Sequence, residues 1–134
     1  MDNPRIKIIA IDDDEAILDI YETGLDSAKY EVKGFADPRA ARKYVSDGNV
    51  PDVIITDIMM PSVDGISLMN EFHSDPATEH VPIIAVSGLN DAATLNDALL
   101  FGAMDYVVKP FEMAAIEAKV QKAYELSLKR KQNK

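Results

Sequence analysis

Four short apolar runs in this chain each end at a polar side chain. IIAI is followed by the three aspartates at 12–14, VIIT by Asp57, IIAV by Ser87 and YVV by Lys109. Short runs rich in isoleucine and valine are typical of strands buried in a parallel sheet. The carboxyl ends of neighbouring parallel strands lie at the same edge of the sheet, where ligands bind. We therefore expect carboxylates, a hydroxyl and an ammonium group to meet in one pocket.

Helical segments separate these runs, so the chain alternates between strand and helix. The predicted strands are residues 6–11, 30–35, 53–56, 82–86 and 105–108. The predicted helices are residues 15–27, 38–47, 66–73 and 91–101, with a last helix from 112. Asp37 is a suitable N-cap and Pro38 a suitable first residue for the second helix. Five strand–helix units with short links predict an α/β domain, a doubly wound parallel sheet with helices on both faces.

The first and last of these helices each carry an apolar stripe. In the first helix the stripe consists of Ile17, Ile20, Tyr21 and Leu25. In the last helix it consists of Ile116, Val120, Tyr124 and Leu128. Apolar residues at such spacing form the face that packs on the core. Leu18 is apolar but lies off the first stripe, so we expect its side chain to be exposed.

Length and charge restrict the class of protein. A chain of 134 residues suits one domain better than two, and we divide it into a domain at 1–128 and a basic C-terminal tail at 129–134. The tail holds four cations, so the domain holds the other ten against 23 acids, a net charge of −13. A body this acidic is not expected to bind nucleic acid through its overall field.

Several absences in the sequence predict a cytoplasmic protein that does not bind membranes. The chain has no cysteine, which excludes disulfides and thiolate metal sites. No apolar run reaches the roughly 18 residues of a membrane span. The first apolar stretch runs directly into acids, which is unlike a signal peptide.

The acids at the first and third strand ends favour a metal site. Carboxylates held close together repel, and their pKa values rise unless a cation offsets the charge. Mg²⁺ accepts oxygen ligands and typically uses one or two carboxylates together with water and phosphate oxygens. Asp12, Asp13 and Asp57 are therefore candidate ligands for a divalent cation.

The same pocket is suited to phosphoryl transfer. A carboxylate can attack phosphorus and form an aspartyl phosphate. Catalysis of that transfer depends mainly on positioning and on neutralising the charge of the phosphoryl oxygens. The Lys109 ammonium and the Ser87 hydroxyl could each contact one of these oxygens, so we expect both residues to be catalytic.

These motifs resemble those of one family. They are IDDD at 11–14, TDIMMPSVDG at 56–65, VSG at 86–88 and GAMDYVVKPF at 102–111. In this order and spacing they resemble the receiver domain of bacterial two-component response regulators, in particular the stand-alone chemotaxis type. The resemblance implies a flavodoxin-like fold with five parallel strands in the order 2-1-3-4-5.

The resemblance also implies roles for single residues at the site. Asp57 matches the phosphoacceptor, which also binds the metal. Asp12 and Asp13 match the acidic pair that holds Mg²⁺, or Mn²⁺ in its place, and Met59 would add its backbone carbonyl. Lys109 matches the phosphate-binding lysine, which is followed in the family by a cis proline.

Two further matches imply a switch. Ser87 matches the switch hydroxyl and Tyr106 the switch aromatic, so phosphorylation of Asp57 would draw the hydroxyl inward and let the ring rotate. The surface altered would be the fourth helix, the last strand and the last helix, which would bind a downstream protein target. The chain would catalyse only its own phosphorylation and dephosphorylation, so it would not be a metabolic enzyme.

The implied phosphodonor is a histidine kinase or a histidine phosphotransfer protein. We expect Leu18, Pro110 and Phe111 to form an exposed apolar rim on which this donor docks. Asp14, the third acid of the first run, is not expected to bind the metal.

Three alternatives remain open at this stage. The first is a receiver domain of a longer response regulator or hybrid histidine kinase, with a separate output domain. The second is a metal-dependent phosphatase with an aspartyl-phosphate intermediate, although such enzymes need an additional acid/base aspartate and a substrate cap. The third is a receiver-like module whose binding does not depend on phosphate, which the intact acidic set disfavours.

Overall fold

Strands and helices alternate along the chain, as the sequence predicts. The computed structural model describes residues 5–58, 65–88, 92–100 and 102–132. The strands are β1 Ile6–Ile11, β2 Tyr30–Phe35, β3 Val53–Asp57, β4 Ile83–Ser87 and β5 Ala103–Val108. The helices are α1 Glu15–Gly24, α2 Pro38–Ser46, α3 Gly65–Ser74, α4 Ala92–Leu100 and α5 Met113–Gln132. None of the helices in these ranges is both long and apolar enough to cross a membrane.

The strands form one parallel sheet in the order β2-β1-β3-β4-β5, which confirms the expected topology. All residues of β3 and β4 are buried, consistent with helices covering both faces of the sheet. The register aligns the carboxyl ends of neighbouring strands, because Ile11 pairs with Thr56, Asp57 with Val86 and Ser87 with Val108. The strand ends that carry the predicted site residues therefore lie at one edge.

Two apolar layers lie on opposite faces of the sheet, because successive strand residues point to opposite sides. On one face, α1 and α5 pack on Ile8 and Ala10. The buried residues that α1, its C-cap Leu25 and α5 contribute to this layer are Leu18, Tyr21, Leu25, Ile116, Val120 and Ala123. On the other face, α2, α3 and α4 pack on Ile9 and Ile11. The buried helix residues there are Ala41, Val45, Leu68, Met69, Phe72 and Ala98.

Side-chain caps begin two of the helices. Asp14 accepts a hydrogen bond from the Ala16 N–H at 2.9 Å at the start of α1, and Asp37 accepts one from the Arg39 N–H at 2.9 Å at the start of α2. Such caps satisfy N–H groups that have no partner within the helix. The predicted cap and first residue of α2, Asp37 and Pro38, are confirmed.

The predicted buried face of α1 is wrong at Leu18 and at Ile20. Leu18 is only 8% exposed and belongs to the core, whereas Ile20 is 45% exposed. Leu18, Tyr21 and Leu25 follow one another at three and four residues, which is one helical face, and this face meets the sheet. The expected exposure of Leu18 is therefore incorrect. The helix also ends at Gly24, three residues before the predicted end.

The buried face of α5 also differs from the predicted stripe. Ile116 and Val120 are fully buried, but the stripe continues through Ala123 and Ser127, and Leu128 is exposed. The helix continues to Gln132. The predicted boundary between a domain at 1–128 and a tail at 129–134 therefore falls within a helix.

Candidate functional site

Three carboxylates meet at the carboxyl edge of the sheet. Asp12 directly follows β1 and Asp57 ends β3, and the two residues are 1% and 5% exposed. Asp13 is exposed beside them. One carboxylate oxygen from each of the three residues lies within 4.8 Å of the others. These hard oxygen donors fit a divalent cation such as Mg²⁺, and the sequence-based prediction that they come together is confirmed.

Lys109 lies between the two buried acids. Its Nζ donates hydrogen bonds to Asp12 Oδ2 at 2.8 Å and to Asp57 Oδ2 at 3.2 Å. Its backbone N–H donates to the Ser87 carbonyl at 2.8 Å, which continues the pairing of β4 with β5. The Lys109–Pro110 peptide bond is cis. The backbone of Lys109 is thus fixed to the sheet while its side chain reaches across two strands.

The electrostatics of the pocket favour additional positive charge. Burial raises the pKa of Asp12, the hydrogen bond and charge of Lys109 oppose this effect, and the charge of Asp57 adds to it. Burial by itself would lower the pKa of Lys109, but the hydrogen bonds and charges of Asp12 and Asp57 outweigh it, so this pKa is raised. One ammonium group therefore offsets two buried carboxylates only in part.

The turn after β1 orients the Asp12 carboxylate. Its Oδ1 accepts a hydrogen bond from the Asp14 N–H at 2.9 Å. Asp14 in turn caps α1 through Ala16. Oδ1 is therefore held by the backbone while Oδ2 is held by Lys109, so the carboxylate has a fixed plane. Asp14 has a structural role as a helix cap, and the expectation that it does not bind metal stays a prediction.

Ser87 and Tyr106 occupy neighbouring strands close to this edge. Ser87 is fully buried at the end of β4 and pairs with Val108, the residue before Lys109. Tyr106 is half-buried on β5 and packs on the layer that contains α4. Its N–H donates to Asp105 Oδ1 at 2.8 Å, and the same oxygen accepts a hydrogen bond from Lys119 Nζ of α5 at 2.9 Å. Both predicted switch residues thus lie beside the site, and their roles stay predictions.

The three residues of the predicted docking rim are exposed to different degrees, and docking itself stays a prediction. Leu18 is buried in the core, for the reason given above. Pro110 is exposed, but Phe111 is half-buried because its ring stacks on that of Tyr21. The backbone carbonyl of Met59, predicted as a further metal ligand, lies outside the described residues.

The stack between Tyr21 and Phe111 was not predicted from the sequence. The ring centroids are 5.6 Å apart and the planes differ by 6°. Tyr21 is on the buried face of α1, just after the acidic turn, and Phe111 follows Lys109 by two residues. The sequence offered one signal of this contact: Tyr21 is a large aromatic residue on the apolar stripe of the helix that begins at the site. Nothing in the spacing identified its partner.

The comparisons with known proteins agree on one family. A model of the response regulator receiver domain matches residues 8–121. The phosphoglycerate transport system transcriptional regulatory protein PgtA of Salmonella typhimurium is 36% identical over 110 residues, which are 82% of this chain and 26% of that protein.

Two solved structures have the same fold. Chemotaxis response regulator CheY4 of Vibrio cholerae superposes with a TM-score of 0.82 at 26% identity, covering 90% of this chain and 99% of that one. The receiver domain of the sensor histidine kinase PA1611 of Pseudomonas aeruginosa, with a magnesium ion coordinated in its active site cleft, gives 0.80 at 26% identity, covering 91% and 99%. In contrast, the chain spans only a quarter to a half of the length of its curated relatives.

Proposed function

Because the chain belongs to the response regulator receiver domain family, we propose that it is a signalling switch in which Asp57 accepts a phosphoryl group. Receiver domains act in two-component systems as switches rather than as metabolic enzymes. One observation carries the proposal: one oxygen each of Asp12, Asp13 and Asp57 lies within 4.8 Å of the others, and the ammonium of Lys109 lies between the two buried acids.

Asp57 is the best candidate for the nucleophile. An attacking carboxylate needs a fixed orientation and a nearby cation. Asp57 is the last residue of a central strand, and its Oδ2 contacts the ammonium of Lys109. The Asp12 carboxylate is held by hydrogen bonds from Asp14 and Lys109, which suits a ligand of the metal ion. In the reaction an Asp57 oxygen bonds to phosphorus, and the bond to the donor breaks with its electron pair leaving on the donor.

Lys109 would change partners during the reaction. In the structure its ammonium is shared between Asp12 and Asp57. Once Asp57 carries a phosphoryl group, the negative charge lies farther from the strand, and the ammonium would follow it. The flexible lysine side chain permits this movement while the hydrogen bond between its backbone and Ser87 persists.

The carboxylates of Asp12, Asp13 and Asp57 would hold Mg²⁺. When bound, Mg²⁺ would neutralise the phosphoryl oxygens and align them with the attacking carboxylate. Asp13 is exposed, so the acidic site is open to solvent next to this residue, where a phosphodonor can approach. The carbonyl of Met59 remains a proposed additional ligand, and Mn²⁺ a proposed substitute.

The output of the switch would be a changed surface on α4, β5 and α5. The Ser87 hydroxyl would donate to the phosphoryl group, and Tyr106 would rotate into the space that is released. Support comes from the position of Ser87, which pairs with the residue before Lys109, and from the half-buried setting of Tyr106. The partners would be a histidine kinase or histidine phosphotransfer protein as donor, and a downstream protein target.

A second form of the proposal places the output in the same polypeptide. The curated relatives are two to four times longer than the matched region, and PgtA is a transcriptional regulatory protein by name. In this form the changed surface would act on an attached output domain. The phosphoryl chemistry at Asp57 is the same in both forms.

The test is the intact mass of the protein after incubation with Mg²⁺ and acetyl phosphate. We expect the gain of one phosphoryl group, lost in Asp57→Asn and on chelation of the metal. Asp14→Asn is the matched control: it makes the same chemical change two residues after Asp12 and keeps a residue that can cap α1. This variant should gain the group at the wild-type rate.

Two outcomes would contradict the proposal. A gain that persists in Asp57→Asn would place the phosphoryl group on another residue. No gain from acetyl phosphate, and none from a phosphorylated histidine protein, would favour a module that binds without phosphate.

A further inference from the structure

Two contacts connect the two halves of the site: a salt bridge and, next to it, a stack of two aromatic rings. One half is the turn after β1, which carries Asp12 and Asp13 and leads into α1. The other half is the segment after β5, which carries Lys109. The salt bridge from Lys109 to Asp12 joins them at the pocket. Two residues after Lys109, the ring of Phe111 lies parallel to that of Tyr21 on α1.

The stack is a well-defined contact. The Tyr21 ring is 1% exposed, and the two ring planes differ by only 6°. Burial raises the pKa of the Tyr21 hydroxyl strongly, and the charges of Asp12 and Asp57 add to the effect, so this side chain stays neutral beside the pocket. Large buried aromatic rings contribute much of the packing energy of a core, and stacked pairs add to it.

A neighbouring contact reinforces the stack. One turn after Tyr21, Gly24 leaves room for Met113, because a Cβ on Gly24 would lie 2.8 Å from the Met113 Cε. The segment from Phe111 to Met113 therefore contacts α1 at two successive turns. The Met113 side chain thus packs directly against Gly24.

These contacts differ from the salt bridge in what happens during phosphoryl transfer. The ammonium of Lys109 must leave Asp12 to follow the phosphoryl group, so the ionic connection changes. The ring stack contains no charged group and has no reason to change. It can hold the backbone of the Lys109 segment at a constant distance from α1 while the side chain moves.

We propose that Tyr21 is a positioning residue: by stacking on Phe111 it holds the Lys109 segment against α1, so that the ammonium reaches the phosphoryl group on Asp57. This inference rests on the proposed function. Tyr21 acts through Phe111 and contacts no reacting atom. The part of Tyr21 that matters is its ring, so phenylalanine should replace it and leucine should not.

The experiment compares Tyr21→Leu with Tyr21→Phe and with Tyr30→Leu. Tyr30 is the matched control because it is also 1% exposed and belongs to the same apolar layer, but its hydroxyl bonds to Glu117 and Gln121 of α5. We expect Tyr21→Leu to lower the maximal rate of phosphorylation by acetyl phosphate about tenfold, because small displacements of catalytic groups reduce rates steeply. Tyr21→Phe and Tyr30→Leu should stay within about twofold of wild type.

Two measurements separate positioning from general destabilisation. The dissociation constant for Mg²⁺, measured by calorimetry, should be unchanged in Tyr21→Leu, since the three carboxylates are not on the Lys109 segment. Hydrogen exchange of the Lys109 amide, which donates to Ser87, should accelerate relative to the Ile54 amide, which donates to Pro82 in the centre of the sheet. In Tyr30→Leu the ratio of these two exchange rates should match wild type.

The inference is overturned if Tyr21→Leu keeps the wild-type rate and exchange ratio, or if Tyr30→Leu loses as much rate. Loss in Tyr21→Phe equal to that in Tyr21→Leu would also overturn it, since the hydroxyl would then be responsible. If the wild-type protein accepts no phosphoryl group from any donor, the proposed function fails. The exchange ratio, which needs no phosphodonor, still decides whether Tyr21 positions Lys109.

Discussion

Helices α1 and α4 have similar places in the fold but are held very differently. Each follows a strand that ends at the site, β1 before Asp12 and β4 at Ser87, and they contain ten and nine residues. α1 buries Leu18 and Tyr21, and Asp14 caps its start. In α4, the buried residue within the described range is Ala98.

The leucines of α4 point away from the core. Leu95, Leu99 and Leu100 are all exposed, and Leu100 is 77% exposed. Burying a leucine side chain fully contributes about 1.5–3 kcal/mol, and α4 gains little of this from the sheet. Segments with few buried apolar contacts open most easily. We infer that α1 is the more firmly held of the two helices, and that moving α4 costs less free energy.

The difference is what a phosphorylation switch requires. In the proposed switch the carboxylates of Asp12 and Asp57 and the backbone of Lys109 keep their positions, and they are attached to the ends of β1, β3 and β5. The surface proposed to signal must change, and it includes α4, in which Ala98 is the buried residue within the described range. The exposed leucines form apolar surface that is not packed on the core, and a partner protein could bind there.

The strongest test of this contrast compares Leu18→Ala in α1 with Leu100→Ala in α4. Removing the buried side chain should lower the free energy of unfolding by about 2–5 kcal/mol. Removing the exposed one should change it by less than about 0.5 kcal/mol. Urea denaturation without Mg²⁺ measures both values. Equal losses would mean that α4 is held as firmly as α1.

A second comparison concerns Lys109 at the acidic pocket and Lys119 on α5. Lys109→Met leaves Asp12 and Asp57 buried without their cation, so we expect a loss of about 2 kcal/mol without Mg²⁺ and a smaller loss with it. Lys119→Met removes the partner of Asp105. Both side chains of this salt bridge are partly exposed, and such salt bridges contribute at most about 1 kcal/mol.

The Mg²⁺ dependence is the sharper part of this comparison. Mg²⁺ should restore stability to Lys109→Met and have no specific effect on Lys119→Met. Similar restoration in both variants would show that the ion does not act at the acidic pocket.

The smallest expected effect is a change in hydrogen exchange on phosphorylation. At rest, α4 amides should exchange at least about tenfold faster than those in the middle of α1, since local openings expose them. Acetyl phosphate with Mg²⁺ should change the α4 rates by about threefold and leave the α1 rates within error. Asp57→Asn, treated identically, is the control. A response in α1 as large as that in α4 would contradict the division into a fixed and a mobile helix.

The sequence was sufficient to predict the sheet and the composition of the site. β-branched runs determine where the strands lie, and parallel strands bring Asp12, Asp57 and Ser87 to one edge whatever the details of packing. The predicted cap Asp37 acts locally, so neighbouring residues determine the start of α2.

The sequence was not sufficient where two faces of a helix are both apolar. In α1, Ile17, Leu18, Ile20 and Tyr21 supply two overlapping stripes. Which stripe packs on the sheet depends on the turn between Asp12 and Asp14, which fixes the rotation of the helix. The exposure of the α4 leucines is equally hidden, because their spacing alone would suit a buried face. The sharing of Lys109 between two acids depends on the register of separate strands.

The contact between the Met113 side chain and Gly24 lies at the start of α5. α5 continues from there for 20 residues, which is about 30 Å of rigid rod. If α5 moves as one body on the sheet, a small rotation near Met113 becomes a larger displacement at the other end. A tilt of roughly 5° about Met113 would move the backbone at Gln132 by more than 2 Å. Sub-ångström adjustments next to the pocket would thus be amplified by leverage at the far end of the domain.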